Sequence, residues 1–362
     1  MKNSSFRIAV LPGDGIGVEV MEACLAVLDA LQKRVGGFAL AYERVPGGAH
    51  HYRDTGDAFP ESSFAAAERA DAILFGAMGW PEIRYPDGTE IAPQLDLRFR
   101  LDLYAGVRPI RAIPGVAPAL ADPRAKDIDL VIIRESTEGL FASRGKGEVI
   151  ADREARDTMV ITRATSERLF DYSFRLAAQR RRAGRPGRVT CVDKANVFRS
   201  MAFFRKVFLE RAAAHPGLAA DTHYIDAMAL DLVRKPWTFD VMVTENQFGD
   251  ILSDLGAGLI GGMGFAPSGD IGDAHAMFQP SHGSAPDIAG RGIANPTGMF
   301  LSAAMMLDWL GARHGVGACS EAARLLEEAV DGAFGQDGVR SADIAGRHGT
   351  ADVTRAVIAR LA

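Results

Sequence analysis

At 362 residues, 48% of them hydrophobic and 24% charged, the chain is too long for one small core and has the composition of a globular protein of two domains or one large α/β unit. Its net charge of −5 argues against a general nucleic-acid binder, whose phosphate contacts need an excess of Lys and Arg. Cys24, Cys191 and Cys319 are isolated from one another, which argues against a disulfide framework or a zinc knuckle and fits a reducing cytoplasm.

Met1 to Val10 has neither the apolar core nor the small-residue cleavage site of a signal peptide, and no run of about 18 apolar residues predicts a membrane span. Arg7 to Leu11 reads as a strand, Pro12 to Gly17 as a turn, Val18 to Leu31 as a helix and Phe38 to Val45 as a strand, so the chain opens with a βαβ unit. The turn Gly13-Asp14-Gly15-Ile16-Gly17 has Val18 where a dinucleotide-binding Gly-x-Gly-x-x-Gly needs its last glycine. Gly256-Ala257-Gly258-Leu259-Ile260-Gly261 matches that pattern but follows a helix, so neither supports a Rossmann cofactor site.

Asp71 to Phe75 is a further buried strand. The Pro- and Gly-rich segment from Gly76 to Pro93 reads as a functional loop rather than packed structure. Asp129 to Ile133 is a buried strand that delivers Arg134. Arg98, Arg108 and Arg134 all stand at or near the ends of apolar segments. Each alone is an ordinary surface ion-pair partner, whereas three guanidinium forks together suit a substrate with two carboxylates.

Gly139 to Thr162 alternates loosely and is rich in charge, the pattern of an extended arm, and Arg163 to Arg182 is a long amphipathic helix. The cluster Arg180, Arg181, Arg182, Arg185 and Arg188 reads as a solvated helix end favoured by the helix dipole. Val189 to Val192 is a strand ending in Asp193-Lys194-Ala195-Asn196. A lysine there is ordinarily solvated, but beside a dication and carboxylates it can serve as a base. Helix, strand and helix lead on to Tyr224-Ile225-Asp226-Ala227-Met228.

Phe239 to Asp254 then reads as strand, a tight turn ending in Gly249, and helix. Asp250 and Asp254 are one helical turn apart, so their carboxylates share a face. Such hard oxygen ligands suit Mg²⁺ or Mn²⁺, while acidic residues in a first helical turn also serve as caps and dipole partners. Gly261 to Asp273 is Gly-rich and loop-like. His282-Gly283-Ser284-Ala285-Pro286-Asp287 opens a turn-dense segment closed by Ala294-Asn295-Pro296, able to wrap a flat ring with small side chains and backbone amides. Thr297 to Ala362 is mostly amphipathic helix.

The ordered set Gly13-Asp14-Gly15-Ile16-Gly17, Asp193-Lys194-Ala195-Asn196, Tyr224-Ile225-Asp226-Ala227-Met228, Phe248-Gly249-Asp250-Ile251-Leu252-Ser253-Asp254 and His282-Gly283-Ser284-Ala285-Pro286-Asp287-Ile288-Ala289-Gly290 resembles the β-decarboxylating dehydrogenases over nearly the whole chain. That family includes the isocitrate, homoisocitrate, isopropylmalate and tartrate/D-malate enzymes. The resemblance implies an isopropylmalate-dehydrogenase-like two-domain α/β fold without a Rossmann unit, its mixed sheets flanked by helices and carrying an extended arm. Residues 1–103 plus 261–362 would form the larger, cofactor-binding domain, and 104–260 the smaller dimerisation and metal/substrate domain. It also implies a cytoplasmic homodimer with shared active sites, dimer against tetramer remaining open, with no nucleic acid and no membrane as partner.

By the same resemblance Asp250 and Asp254 hold Mg²⁺ or Mn²⁺, joined by Asp226 from the partner subunit. Arg98, Arg108 and Arg134 hold the carboxylates of a 2-hydroxy dicarboxylate, and Lys194, also from the partner, is the base, with Asn196 on the cofactor side. His282, Gly283, Ser284, Ala285, Pro286, Asp287 and Asn295 receive adenosine. Asp287, at the ribose position, favours NAD over NADP by repelling a 2′-phosphate. Two departures stand out. Phe141 occupies the position of the family's proton-donating Tyr and has no ionisable hydroxyl, which leaves open a non-decarboxylating or catalytically silent relative. Before Arg98 the chain has Pro93-Gln94-Leu95-Asp96-Leu97, less apolar than an isopropyl group prefers. That favours a tartrate or D-malate type as the alternative, while isopropylmalate dehydrogenase remains the nearest named relative over the whole chain.

Overall fold

The computed structural model describes residues 4–362; the first three residues of the Met1–Val10 stretch, read above for a leader, lie outside them. The chain divides into two compact units. One comprises the residues up to Asp102, Ile113–Pro118 and Ile260–Ala362; the other comprises Leu103–Ala112 and Ala119–Leu259.

The first unit opens with β1 (Ser4–Gly13), α1 (Ile16–Val35), β2 (Phe38–Arg44), α2 (Ala49–Thr55), α3 (Glu61–Arg69), β3 (Ala72–Ala77) and α4 (Pro93–Arg100). In α1, Val20, Met21, Cys24, Val27, Leu28 and Leu31 recur at helical spacing and are buried. The helix stops at Gly36, which takes φ 67° and donates its N–H to Gln32 O at 3.0 Å. The segment between β3 and α4 is more packed than its turn residues suggested. Trp80, Ile83 and Tyr85 lie against Ala49, Ala58 and Ile91, and isolated bridges join Trp80 to Ile83 and Arg84 to Glu90. Apolar side chains interleaved with turn residues supply a local core that Pro and Gly content alone does not reveal.

The second unit follows with β4 (Ala105–Arg111), β5 (Asp129–Glu135), β6 (Glu148–Ile150), β7 (Glu154–Arg156), α5 (Arg163–Arg182), β8 (Arg188–Asp193), α6 (Arg199–Ala213), β9 (Ala219–Tyr224), α7 (Ile225–Arg234), β10 (Val241–Thr244) and α8 (Asn246–Leu259). β6 and β7 form an antiparallel ribbon in the charged segment after Gly139, with every one of their six residues exposed. The chain then completes the first unit with β11 (Pro267–Ile271), β12 (Ala276–Pro280), α9 (Thr297–His314), α10 (Gly317–Gly335) and α11 (Thr350–Leu361).

Both units carry a mixed sheet. Within the first the strand order is β2-β1-β3-β12-β11, parallel except for the β11–β12 pair; within the second it is β4-β5-β10-β8-β9, parallel except for the β4–β5 pair. Parallel strands covered on both faces read as continuous apolar runs, as Leu130 to Ile133 and Val241 to Val243 do.

Three readings of the sequence are corrected. Gly261–Asp273 is not simply loop, because it contains β11, all five of whose residues are buried. Its Pro, Ser, Gly and Asp disguise a strand with partners far along the chain: Ser268 N–H donates to Ser302 Oγ at 3.2 Å, and Asp270 accepts from Arg98 and Gln279. The turn after β10 is shorter than expected, since α8 begins at Asn246 and Gly249 lies inside its first turn. The Glu245 carboxylate starts that helix by accepting from Gln247 N–H at 3.0 Å and Phe248 N–H at 2.7 Å. Finally, the basic cluster ending α5 is not all solvated. Arg180 bonds Asp240 at 2.6 Å and Asp129 at 3.0 Å, and Asp240 is itself buried. Among the described residues no helix is long and apolar enough to cross a membrane.

Candidate active site

In the second unit the central strands β5 and β10 lie side by side, Thr244 opposite Arg134, and α8 leaves the end of β10. This brings the Arg134 side chain, 3% exposed, beneath the first turn of the helix. Arg134 Nε and Nη2 donate to Asn246 Oδ1 at 3.0 and 2.7 Å, and Nη1 donates to Asp250. Gly249 makes the approach possible. A Cβ on it would stand 2.6 Å from Arg134 Cβ and 2.8 Å from its Cγ. Asp254, one turn on, sits close enough to Asp250 for the two carboxylates to repel. Burial first, and that neighbouring charge second, hold the Asp254 carboxyl above the ordinary range, while Arg134 and Arg108 pull it back. Asp250, Asp254, Arg134 and buried Arg108 therefore form one electrostatic group.

Phe141 closes the other side of Arg134, its ring centroid 5.1 Å from the guanidinium carbon. Lys194, just past the end of β8, donates from Nζ to Asp226 Oδ1 at 2.6 Å, and that bond holds the exposed Asp226 carboxyl below the usual range. Asn196 is exposed. Among the described residues no group of three His, Cys, Asp or Glu side chains could hold a metal, so within one chain Asp226 does not complete a ligand set with Asp250 and Asp254.

In the first unit the glycine turn supports the second candidate region. Gly15 packs against the backbone of Ser284, whose carbonyl accepts from Ile16 N–H at 2.9 Å; a Cβ at Gly15 would lie 2.0 Å from that oxygen. Asp14, which sequence reasoning left without a role, is 1% exposed and accepts from Ala49 N–H at 2.7 Å, His50 N–H at 3.0 Å and Gly79 N–H at 2.9 Å. An acid between two glycines was the available signal for this pin.

His282 turns Nδ1 to Gly283 O at 2.9 Å and leaves Nε2 buried without a partner, and burial lowers its pKa. Ser284 is buried, Ala285 and Pro286 are half-buried, and Gly283 and Asp287 are exposed. Asn295 is less available than expected, because its amide is engaged within the fold. Its Nδ2 donates to Asp343 at 3.1 Å, and its Oδ1 accepts from Thr297 N–H at 3.1 Å and Thr297 Oγ1 at 2.6 Å. Arg98 is likewise held, by Nε and Nη2, on Asp270 at 3.1 and 3.0 Å. Asn246 and Asp270 are the residues that sequence reasoning missed; each is recognisable only by the arginine it meets.

The comparisons with known proteins bear on this arrangement. The isocitrate/isopropylmalate dehydrogenase family model matches residues 7–357. The chain belongs to that family. It is 41% identical over 356 residues to the 3-isopropylmalate/3-methylmalate dehydrogenase of Methanocaldococcus jannaschii, covering 98% of each chain. It is 36% identical over 367 residues to the probable tartrate dehydrogenase/decarboxylase of Bacillus subtilis, covering 100% of this chain and 99% of the relative. The crystal structure of isocitrate dehydrogenase from Methylococcus capsulatus superposes with a TM-score of 0.85 at 35% identity, covering 98% of this chain and 99% of that one.

The protein is thus an oxidoreductase of the β-decarboxylating dehydrogenase family, whose members in general use a nicotinamide cofactor and a divalent metal. The residues present fit both. Two carboxylates that share one face of α8 and repel each other are a hard-cation donor set. On the loop whose Ser284 meets the glycine turn, His282 Nε2 is a buried polar atom without a partner, the kind of group a cofactor contact would satisfy.

Proposed function

We propose that the protein is an NAD- and divalent-metal-dependent dehydrogenase acting on a 2-hydroxy dicarboxylate of the 3-substituted malate type, with loss of the β-carboxylate as CO₂. Its closest named activity is 3-isopropylmalate dehydrogenase. It works as a cytoplasmic homodimer with shared active sites. The observation that carries this reading is the Arg134–Asp250–Asp254 group. A buried guanidinium stands directly beside two carboxylates that repel each other, a pattern complementary to an anionic substrate chelating a cation.

Asp250 and Asp254 would hold Mg²⁺ or Mn²⁺, with Asp226 of a second copy completing the set. That Asp226 finds no such set within its own chain supports the shared arrangement. So do the exposed apolar side chains Leu230 and Val233 of α7 and Ile251 of α8, which favour burial against a second copy. Bound there, the cation would acidify the substrate hydroxyl and the nicotinamide would accept hydride. Arg108 and Arg134 orient the carboxylates. Lys194 takes the hydroxyl proton, and its 2.6 Å bond to Asp226 holds the lysine in place beside the carboxylates. Asp287, exposed on the loop that carries His282, selects NAD by accepting from two ribose hydroxyls and repelling a 2′-phosphate.

Phe141 favours a second reading, in which oxidation proceeds and decarboxylation is slow or absent. Its ring packs against Arg134 but supplies no proton, and a general acid typically contributes about 10²–10⁴-fold. NADH formed and CO₂ released are measured together for the native protein and Phe141→Tyr. Equal, fast release unchanged by the tyrosine sinks the second reading. NADH without CO₂, rescued by the tyrosine, establishes it. Loss of NADH formation in Lys194→Met by about 10²–10⁴-fold is expected under both readings.

A further inference from the structure

The bond between Lys194 and Asp226 fixes Nζ only as firmly as the two residues are held against each other, and both side chains are open to water, 24% and 67% exposed. What holds them lies behind the pair. β8 and β9 run parallel with Asp193 opposite Tyr224, so the residue before Lys194 faces the residue two before Asp226. Asp193 is completely buried. Its carboxylate accepts from Ala195 N–H at 2.8 Å, which pins the backbone on the far side of Lys194, and from Arg205 Nε and Nη2 at 2.8 and 2.7 Å. The Lys194 carbonyl in turn accepts from Val197 N–H at 3.0 Å and Phe198 N–H at 3.1 Å. Arg205 reaches in from α6, and its guanidinium carbon lies 4.8 Å from the centroid of the Tyr224 ring. One side chain thus meets the end of each strand that leads into the Lys194–Asp226 pair.

Resting on the reading above of Lys194 as the base, we propose that Arg205 is a positioning residue for it: by clamping Asp193 to Tyr224, the guanidinium sets where Lys194 Nζ stands, and it acts on the reaction through that lysine alone. The task needs an arginine. A lysine at 205 keeps the charge but has neither the planar fork that fits Asp193 nor the flat face that lies against Tyr224. A displacement of about 1 Å at a catalytic group can cost about 10²-fold in rate, so a clamp that never meets the substrate still controls the chemical step. A merely structural arginine behaves otherwise. Its loss lowers the fraction of folded enzyme, and hence the rate, whether or not the base is present.

The test is a double-mutant cycle on kcat at saturating NAD and Mn²⁺, using whichever of D-malate, the tartrates, 3-isopropylmalate and isocitrate the native full-length protein oxidises fastest. Arg205→Lys and Tyr224→Leu are each made in the native protein and in Lys194→Met, with folding checked by circular dichroism. With Lys194 present, kcat should fall about ten- to a hundred-fold in Arg205→Lys and several-fold in Tyr224→Leu, while KM for NAD moves by less than about two-fold. In Lys194→Met, with no base left to place, neither change should lower the residual rate by more than about two-fold. Equal losses with and without Lys194, or no loss in either background, overturn the proposal and leave the dehydrogenase reading intact. Where Arg205→Lys loses the native spectrum, Tyr224→Leu decides by the same criteria, because it keeps the buried Asp193–Arg205 pair whole. Failure of every acid in the panel to reduce NAD overturns that reading and this proposal together, so the two failures are distinguishable.

Discussion

Arg98 of the first unit and Arg134 of the other are alike in the sequence, each an arginine at the end of an apolar segment, and both are buried. Their counter-ions differ. Asp270 is completely buried, whereas the side chain of Asp250 is 51% exposed. Arg134 also rests on a neutral anchor, Asn246, through two bonds of its guanidinium, so its ion pair with Asp250 can be exchanged for a ligand without stranding it. Arg98 instead commits its guanidinium to the Asp270 carboxylate, which locks it in place. The two buried arginines thus differ in the exposure of the carboxylate opposite each, and so in how readily that carboxylate can be exchanged.

The largest effect expected from this contrast is on stability. Asp270→Asn leaves Arg98 charged and buried without a counter-ion, a situation that typically costs about 3–5 kcal/mol. Asp250→Asn breaks a pair with one solvated partner and should cost no more than about 1 kcal/mol. Urea unfolding of the two variants without added ligand checks the comparison, and equal losses would break it.

Another way to sharpen it uses Glu135, the neighbour of Arg134 on β5. Its carboxylate is 3% exposed and accepts from Thr137 N–H at 2.6 Å, Thr137 Oγ1 at 2.8 Å and Glu138 N–H at 2.7 Å, whereas buried Asp270 faces a guanidinium. Burial outweighs those bonds and pushes Glu135 up to about 7. Below the ordinary glutamate value both folded and unfolded chains hold this proton. Between that value and about 7 only the folded chain does, so this contribution to stability falls as pH rises through the window and is level above it. The drop is of the order of 3 kcal/mol. Denaturation midpoints measured from the ordinary glutamate range up to about pH 8 should show it in the native protein and lose it in Glu135→Gln; parallel profiles would remove Glu135 as its source.

Much of this was legible in the sequence. The βαβ opening, the helix from Arg163 to Arg182 and the shared face of Asp250 and Asp254 follow from apolar spacing, and the structure shows each. What was hidden depends on partners far along the chain. β11 reads as loop because its buried Asp270 makes sense only beside Arg98, 172 residues away. At Asn295 nothing nearby announces that Asp343, 48 residues on, accepts from its amide. Local pattern reports where the backbone turns and which face is apolar; it does not report which polar groups are already satisfied.

The smallest effect expected tests how closely Arg134 is fitted. Gly249 lies inside α8, where Ala would favour the helix by up to about 1 kcal/mol. Against that gain, its Cβ would come within 2.6 Å of Arg134 Cβ and 3.1 Å of Cα, atoms that cannot swing away as a side-chain tip can. Overpacking of this kind costs about 1–3 kcal/mol, so Gly249→Ala should be close to neutral or destabilised by about 1–2 kcal/mol. The diagnostic readout is kinetic. On the proposed reading of Arg134 as a substrate contact, shifting it should raise KM for the dicarboxylate several-fold while KM for NAD stays put. If both KM values hold steady in a folded Gly249→Ala protein, the close fit of Gly249 on Arg134 does not bear on substrate binding, and the contrast between the two arginines is one of stability alone.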